Sequence, residues 1–180
     1  LSLVVVKDDK PEAERHPELH TLDEKVYNSP AMALAVTMKA VAAAGRLAHL
    51  NFERGCQVLA KYDPVLAAEI DKDEDCIDQF TDNSDRFLIG LSKVVETEAD
   101  DRQLDMLMQT VPNFERIGDY ATNMVELAQR LQSENAAFSD MAKKELALIT
   151  QAVNEILEIT VDAFSKDDNE AAKAIEPLEE

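Results

Sequence analysis

The sequence predicts an all-α protein: an antiparallel three-helix bundle followed by the start of a second copy that is incomplete in this chain. Three observations carry this. Glycine occurs four times, proline six times and tryptophan not at all in 180 residues, while Ala, Leu, Glu, Asp and Met dominate, a composition that favours helices over strands. Apolar residues recur at steps of three and four through each long segment. Finally, Lys61–Asp75 matches Lys166–Glu180 at a constant offset of 105 positions, pairing Lys61 with Lys166, Asp63 with Asp168 and Ile70 with Ile175. Each of these stretches follows a long amphipathic segment, as expected of a tandem repeat of about a hundred residues. The expected organisation is a strap or linker over 1–29, a first three-helix repeat over 30–137, and the beginning of a truncated second repeat over 138–180.

In the strap, Pro11, Pro17 and Pro30 punctuate a charged, weakly periodic stretch. Leu1–Val6 lacks the basic start of a signal peptide and could be the tail of something upstream. His16 and His20 have the i,i+4 spacing of a helical zinc pair, but Pro17 opposes a helix there and no third ligand is near.

The first helix is expected from Ser29 or Pro30 to Lys61, with Leu34, Met38, Val41, Gly45, Ala48, Phe52 and Leu59 as its seam. Ala42–Gly45 is small enough for a neighbour to approach closely, and His49 beside the seam reads as a partly buried, hydrogen-bonded histidine. Asp63 can cap a second helix with Pro64 at its first position, running to about Val94. Its seam is Leu66, Ile70, Asp73, Ile77, Phe80, Ser84, Phe87 and Leu91, an apolar line that Asp73 and Ser84 interrupt. A loop over Glu96–Asp101, with Asp100 or Asp101 as cap, leads to a third helix over Arg102–Leu131 that Pro112 should bend. After a polar break at Ser133–Ser139, a fourth helix spans Asp140–Lys166 with Leu146, Ile149, Val153, Ile156 and Ala163 as its seam. Asp168 then caps a last segment.

The formal charge is -19, from 37 acidic and 18 basic residues. Such a surface repels nucleic-acid phosphates and anionic lipid, and suits cations or a basic partner. Nucleic acid is therefore not expected as a partner. Cys56 and Cys76 form neither a C-x-x-C pair nor a disulfide framework, and read as buried thiols. No apolar run is expected to reach the length of a membrane span.

The acidic residues are patterned. Glu115 and Asp119 are i,i+4 neighbours on the third helix, with Asn123 and Glu126 further along the same stripe. On the second helix Asp71/Asp75 and Glu74/Asp78 repeat that spacing. Like charges this close repel unless a cation lies between them, so the pairs are candidate ligands for a hard metal ion; the alternative is a solvated acidic face. For catalysis the sequence offers little. There is no Glu-x-x-His, no nucleophile–base pair and no glycine-rich phosphate loop, and the three histidines lie outside both acidic patches. An enzyme is not expected.

The stretch Asn113-Phe-Glu-Arg-Ile-Gly-Asp-Tyr-Ala-Thr-Asn-Met-Val-Glu126 resembles the E-R-I-G-D-x-A-x-N-I signature of PhoU-type phosphate-regulation proteins. The resemblance implies a fold of two similar three-helix bundles, in which E(D)-x-x-x-D motifs on two helices of each bundle hold iron or zinc clusters. Glu115–Asp119 matches that motif and Glu74–Asp78 its companion, with Asp71 and Asp75 able to assist. Through the 105-residue offset, Glu176, Glu179 and Glu180 become the second-repeat metal candidates, in a site this chain alone cannot complete. Oxygen ligation would also suit magnesium, calcium or manganese. Thr21-Leu-Asp-Glu-Lys-Val-Tyr-Asn-Ser-Pro-Ala-Met-Ala-Leu34 is similar to the opening of the PhoU-like domain of bacterial sodium/phosphate cotransporters. That implies a soluble regulatory domain modulating phosphate transport at the cytoplasmic face of the inner membrane, with the transporter portion of the same polypeptide as its partner and a homo-oligomer as a further association. The alternative is a stand-alone helical phosphate-regulation or interaction protein without transporter portion or metal.

Overall fold

Asp63 accepts hydrogen bonds from the Val65 and Leu66 amides, and Thr97 from the Asp100 amide, so two of the long helices start on a side-chain cap. The computed structural model describes residues 15–166, 168 and 170. Among these, four helices follow two short 3-10 turns, Pro17–His20 and Glu24–Asn28. The helices are α1 (Pro30–Ala60), α2 (Pro64–Leu91), α3 (Glu98–Ser133) and α4 (Asp140–Lys166). No strand occurs among the described residues. The expected start of α3 is corrected: Thr97 is the cap, and Asp100 and Asp101 sit in the first turn, where acidic side chains favour the positive end of the helix dipole. The helix then continues across Pro112.

α1 packs along α3 and also touches α2 and α4. The main core joins Leu34, Val41 and Ala48 of α1, Ile77, Phe80 and Leu88 of α2, Leu104, Leu107 and Phe114 of α3, and Val161 of α4. A smaller cluster at the other end holds Val58, Ile70, Ala121 and Val125. Contact between α1 and α3 depends on missing side chains. A Cβ on Gly45 would fall 2.7 Å from the Phe114 ring. That ring meets Phe164 of α4 edge-on at 5.6 Å. A Cβ on Gly55 would lie 3.2 Å from the Ala121 Cα.

By length and composition α1 is apolar enough to cross a membrane, which corrects the sequence expectation that no segment is. More than half of its most apolar stretch is buried inside the bundle, so here it serves as a central core helix.

The chain before α1 lies across α1 and α2. Leu19 is buried, and the Tyr27 hydroxyl donates to the Phe87 carbonyl at 2.8 Å while its ring rests 4.9 Å from that of Phe87. A Cβ on Gly90 would overlap the Tyr27 hydroxyl. The strongest polar tie is Asp73, which is 2% exposed. Its Oδ1 accepts from Arg15 Nη2 at 3.0 Å and lies 3.0 Å from His16 Nε2, and its Oδ2 accepts from Arg54 Nη1 at 2.7 Å. The acidic residue that broke the apolar seam is thus a buried junction of the strap, α1 and α2. His16 is spent there, and Pro17–His20 is a 3-10 turn, so no helical His16/His20 pair forms. Ser84, the other interruption, is fully buried, and its hydroxyl has no partner among the described residues.

α4 is anchored by His49 Nε2, 2.8 Å from Asn154 Oδ1, and by Asn154 Nδ2 donating to Glu53 Oε1 at 3.3 Å. His49 and Asn154 are 105 positions apart, the offset of the sequence repeat. The expected seam of α4 holds in part: Ala163 is buried and Leu146, Val153 and Ile156 are half-buried, but Ile149 is exposed and Leu157 and Val161, which the seam left out, are buried against α1.

Removing the buried carboxylate leaves two half-buried guanidinium groups without their partner. Asp73→Ala is therefore expected to cost roughly 1.5–3 kcal/mol of unfolding free energy in urea titrations, the scale of lost hydrogen bonds to charged groups, and to raise protease sensitivity around residues 15–28. A change within about 0.5 kcal/mol, the usual range for surface substitutions, would contradict the buried junction.

Candidate metal centre

With Asp73 turned into the core, the helical period places Glu74, Asp78 and Asp71 on the flank of α2 away from the strap. Ile77, between them, is buried and approaches Gly118 of α3: a Cβ at Gly118 would stand 3.4 Å from Ile77 Cδ1. Gly118 lies between Glu115 and Asp119. The close contact of the two helices therefore falls between the two carboxylate pairs, and any side chain larger than Ala at 118 would spread them.

Glu74, Glu115 and Asp119 are half-buried, whereas Asp78, Asp71 and Asp75 are exposed. Burial pushes the Glu74 carboxyl above its ordinary pKa, and the charges of Asp119, Asp78, Asp75 and Glu115 push it further. Glu115 is raised by burial, then by Asp119 and Asp78 and more weakly by Asp85, while Arg116 opposes the shift. Asp71 is raised by burial, then by Asp75 and Glu126. Glu74, Asp78, Glu115 and Asp119 thus share one electrostatic field across the α2–α3 seam. Asp71 and Asp75 extend it along α2 towards Glu126. Among the described residues no Lys, Arg or His forms an ion pair with any of these six.

As the side chains stand, no three His, Cys, Asp or Glu residues among those described are gathered tightly enough to ligate one ion. Like charges so placed repel one another, and a cation between them would relieve that repulsion. The donor set is all oxygen. Cys76, inside the Glu74–Asp78 motif, is buried on the core side, and His16 and His49 are engaged elsewhere. Carboxylates from two facing helices suit a hard cation better than a thiolate- or imidazole-seeking one. Asn123 is exposed, one turn beyond Asp119. Glu176, Glu179 and Glu180 lie outside the described residues. Sequence reasoning missed Asp85, which acts on Glu115 and sits two turns beyond Asp78; extending the α2 acidic stripe by a further heptad would have found it.

A carboxyl whose folded pKa is raised binds protons more tightly in the folded state than in the unfolded one. Without metal, stability should therefore fall as pH rises from the ordinary carboxylate pKa through the raised values of Glu74 and Glu115, and stay lower above them. Glu74→Gln with Glu115→Gln is expected to stabilise the metal-free chain at neutral pH by roughly 0.5 kcal/mol, the scale of local like-charge repulsion. It should also flatten that part of the pH–stability curve. Urea midpoints measured from acidic to neutral pH, in chelator, check this; destabilisation at neutral pH would contradict it.

Residues 41–128 match the PhoU domain family. The matched stretch runs from within α1 to the last turns of α3 and contains both carboxylate pairs. Comparison with curated proteins gave no match, and neither did comparison with solved structures.

Proposed function

We propose, taking the PhoU-like domain at residues 41–128 as the premise, that the chain is a regulatory module of phosphate homeostasis whose working part is the acidic α2–α3 seam. The observation that carries this reading is the apposition of Glu74 and Asp78 with Glu115 and Asp119 inside the matched stretch, with no ion pair to any of the four among the described residues. A hard divalent or trivalent cation would bind there: iron, or magnesium, calcium or manganese. Zinc fits less well, because no imidazole or thiolate is offered. Asp71 and Asp75 would provide further oxygens. Acidic side chains do not bind phosphate directly, so any phosphate contact would pass through such a cation.

The similarity of residues 21–34 to the opening of the cotransporter-linked domain supports a finer reading. In it the module is the soluble regulatory domain of a sodium-dependent phosphate transporter, lies at the cytoplasmic face of the inner membrane, and has the transporter portion of the same polypeptide as its partner. The strap then has a physical role: bound through Asp73 to the helix that carries Glu74 and Asp78, it joins preceding chain to the acidic seam. The dispersed carboxylates favour a second reading, a stand-alone helical phosphate-regulation or interaction protein in which the acidic face is only solvated.

Metal analysis separates the two. Protein prepared without chelator is expected to carry tightly held metal. Adding back the cation to stripped protein should raise its stability by about 2.7 kcal/mol at a free concentration one hundred times Kd. Glu115→Ala with Asp119→Ala should lose both effects and keep its helicity by circular dichroism. Equal metal content in wild type and variant would remove the site. The transporter reading is checked separately by sodium-driven phosphate uptake in cells expressing the whole gene, where the same double substitution should alter the response of uptake to external phosphate. An unchanged response would contradict regulation through this seam.

A further inference from the structure

α2 is braced on one flank and charged on the other. The strap holds it at two places about four turns apart. At one, Asp73 Oδ1 accepts from Arg15 Nη2 and lies against His16 Nε2. At the other, the Tyr27 hydroxyl donates to the Phe87 carbonyl and sits in the space that Gly90 leaves open. Between these two ties Leu19 is buried, and Leu22 and Val26 pack against the main core. Glu74 and Asp78 fall within the same length of α2, on the flank that meets Glu115 and Asp119.

Undocking the strap changes the state of Asp73. Without Arg15 and His16, Oδ1 of a carboxylate that is 2% exposed has lost both its partners, and only Oδ2 keeps Arg54. A buried charge left in that state is driven towards water. α2 can turn only as a whole, so the turn that exposes Asp73 carries Glu74 and Asp78 away from α3. Resting on the reading of the seam as a cation site, we infer that strap and seam are coupled: cation binding favours the docked strap, and the docked strap tightens cation binding. Arg15 and His16 are then positioning residues for ligands they do not touch, acting through Asp73. The coupling turns occupancy of the seam into a change in how firmly residues 15–28 are held. Coulomb repulsion alone would give the opposite sign, because a cation in the seam repels Arg15 across the width of α2. That width is about 10 Å, more than the Debye length of about 8 Å at physiological salt, so the repulsion is largely screened.

Two measurements on the 180-residue chain, at physiological salt and with manganese as the probe, test the coupling from both ends. In calorimetric titration, Arg15→Gln with His16→Gln, helical by circular dichroism, should bind manganese roughly tenfold more weakly than wild type, within the usual range of allosteric couplings. Arg15→Gln alone serves if the double variant does not fold. In amide hydrogen exchange, the Leu19 and Val26 amides, bonded to the His16 and Asp23 carbonyls inside the strap, should slow by a similar factor when wild type is saturated with manganese, since linkage is reciprocal. The Ala136 amide, bonded to the Leu131 carbonyl beyond α3, should not change, which separates a local effect on the strap from general stabilisation. Glu115→Ala with Asp119→Ala should abolish the slowing. A wild type that binds no manganese overturns the seam reading and the coupling with it. Binding of equal strength in wild type and the strap variant overturns the coupling alone, as does strap exchange that is unchanged or faster with manganese.

Discussion

The buried carboxylate of Asp73 fixes how α2 is rotated, and the rest of that helix follows. Once Asp73 is turned inward to meet Arg15, His16 and Arg54, the 3.6-residue period leaves no freedom to its neighbours. Ile70, Ile77 and Phe80 fall into the core, and Glu74 and Asp78 fall on the seam with α3. A rotation of α2 that removed Glu74 from that seam would pull Asp73 away from its guanidinium partners. Such clusters are weak sources of net stability, because desolvation offsets most of the Coulomb gain. Their value here is specificity: one register of the helix, and one seat for the strap.

The two acidic groups on α2 are treated in opposite ways. Asp73 is neutralised, whereas Glu74, one residue on, is half-buried among four other carboxylates with no base to meet it. Repulsion of that kind persists only where the surroundings hold the helices together regardless. Here Phe114 seated on Gly45, Ala121 against Gly55 and Ile77 against Gly118 supply the hold. A fold that tolerates unfavourable local electrostatics on one face, while satisfying charge on the other, is the physical ground for the proposal that a cation binds on that face.

Much of this was legible in the sequence. Helix periodicity, the Asp63–Pro64 start and the small residues of α1 located the bundle, because they report local geometry. The i,i+4 carboxylate pairs were equally plain, since spacing alone puts them on one turn. Asp73 was visible only as an interruption. Its partners Arg15 and His16 come from a stretch whose charged, proline-broken composition carries no helical signal, so nothing local could pair them. The start of α3 was missed because Thr97 competes with the more conspicuous Asp100 and Asp101. The seam of α4 was placed only in part, Ile149 being exposed and Leu157 and Val161 left out, because that helix has two apolar sides and periodicity cannot say which one meets α1.

The PhoU-like stretch, the strap and the acidic seam combine, on the proposed reading, into one physical picture: a helical scaffold whose facing carboxylates would close on a cation across the Ile77–Gly118 contact. The most direct test is anomalous scattering from crystals of the chain grown with manganese or iron. The account predicts an anomalous peak between α2 and α3, with Glu74, Asp78, Glu115 and Asp119 turned towards it. Crystals saturated with the metal that showed no peak there, or peaks only at isolated surface carboxylates, would contradict it.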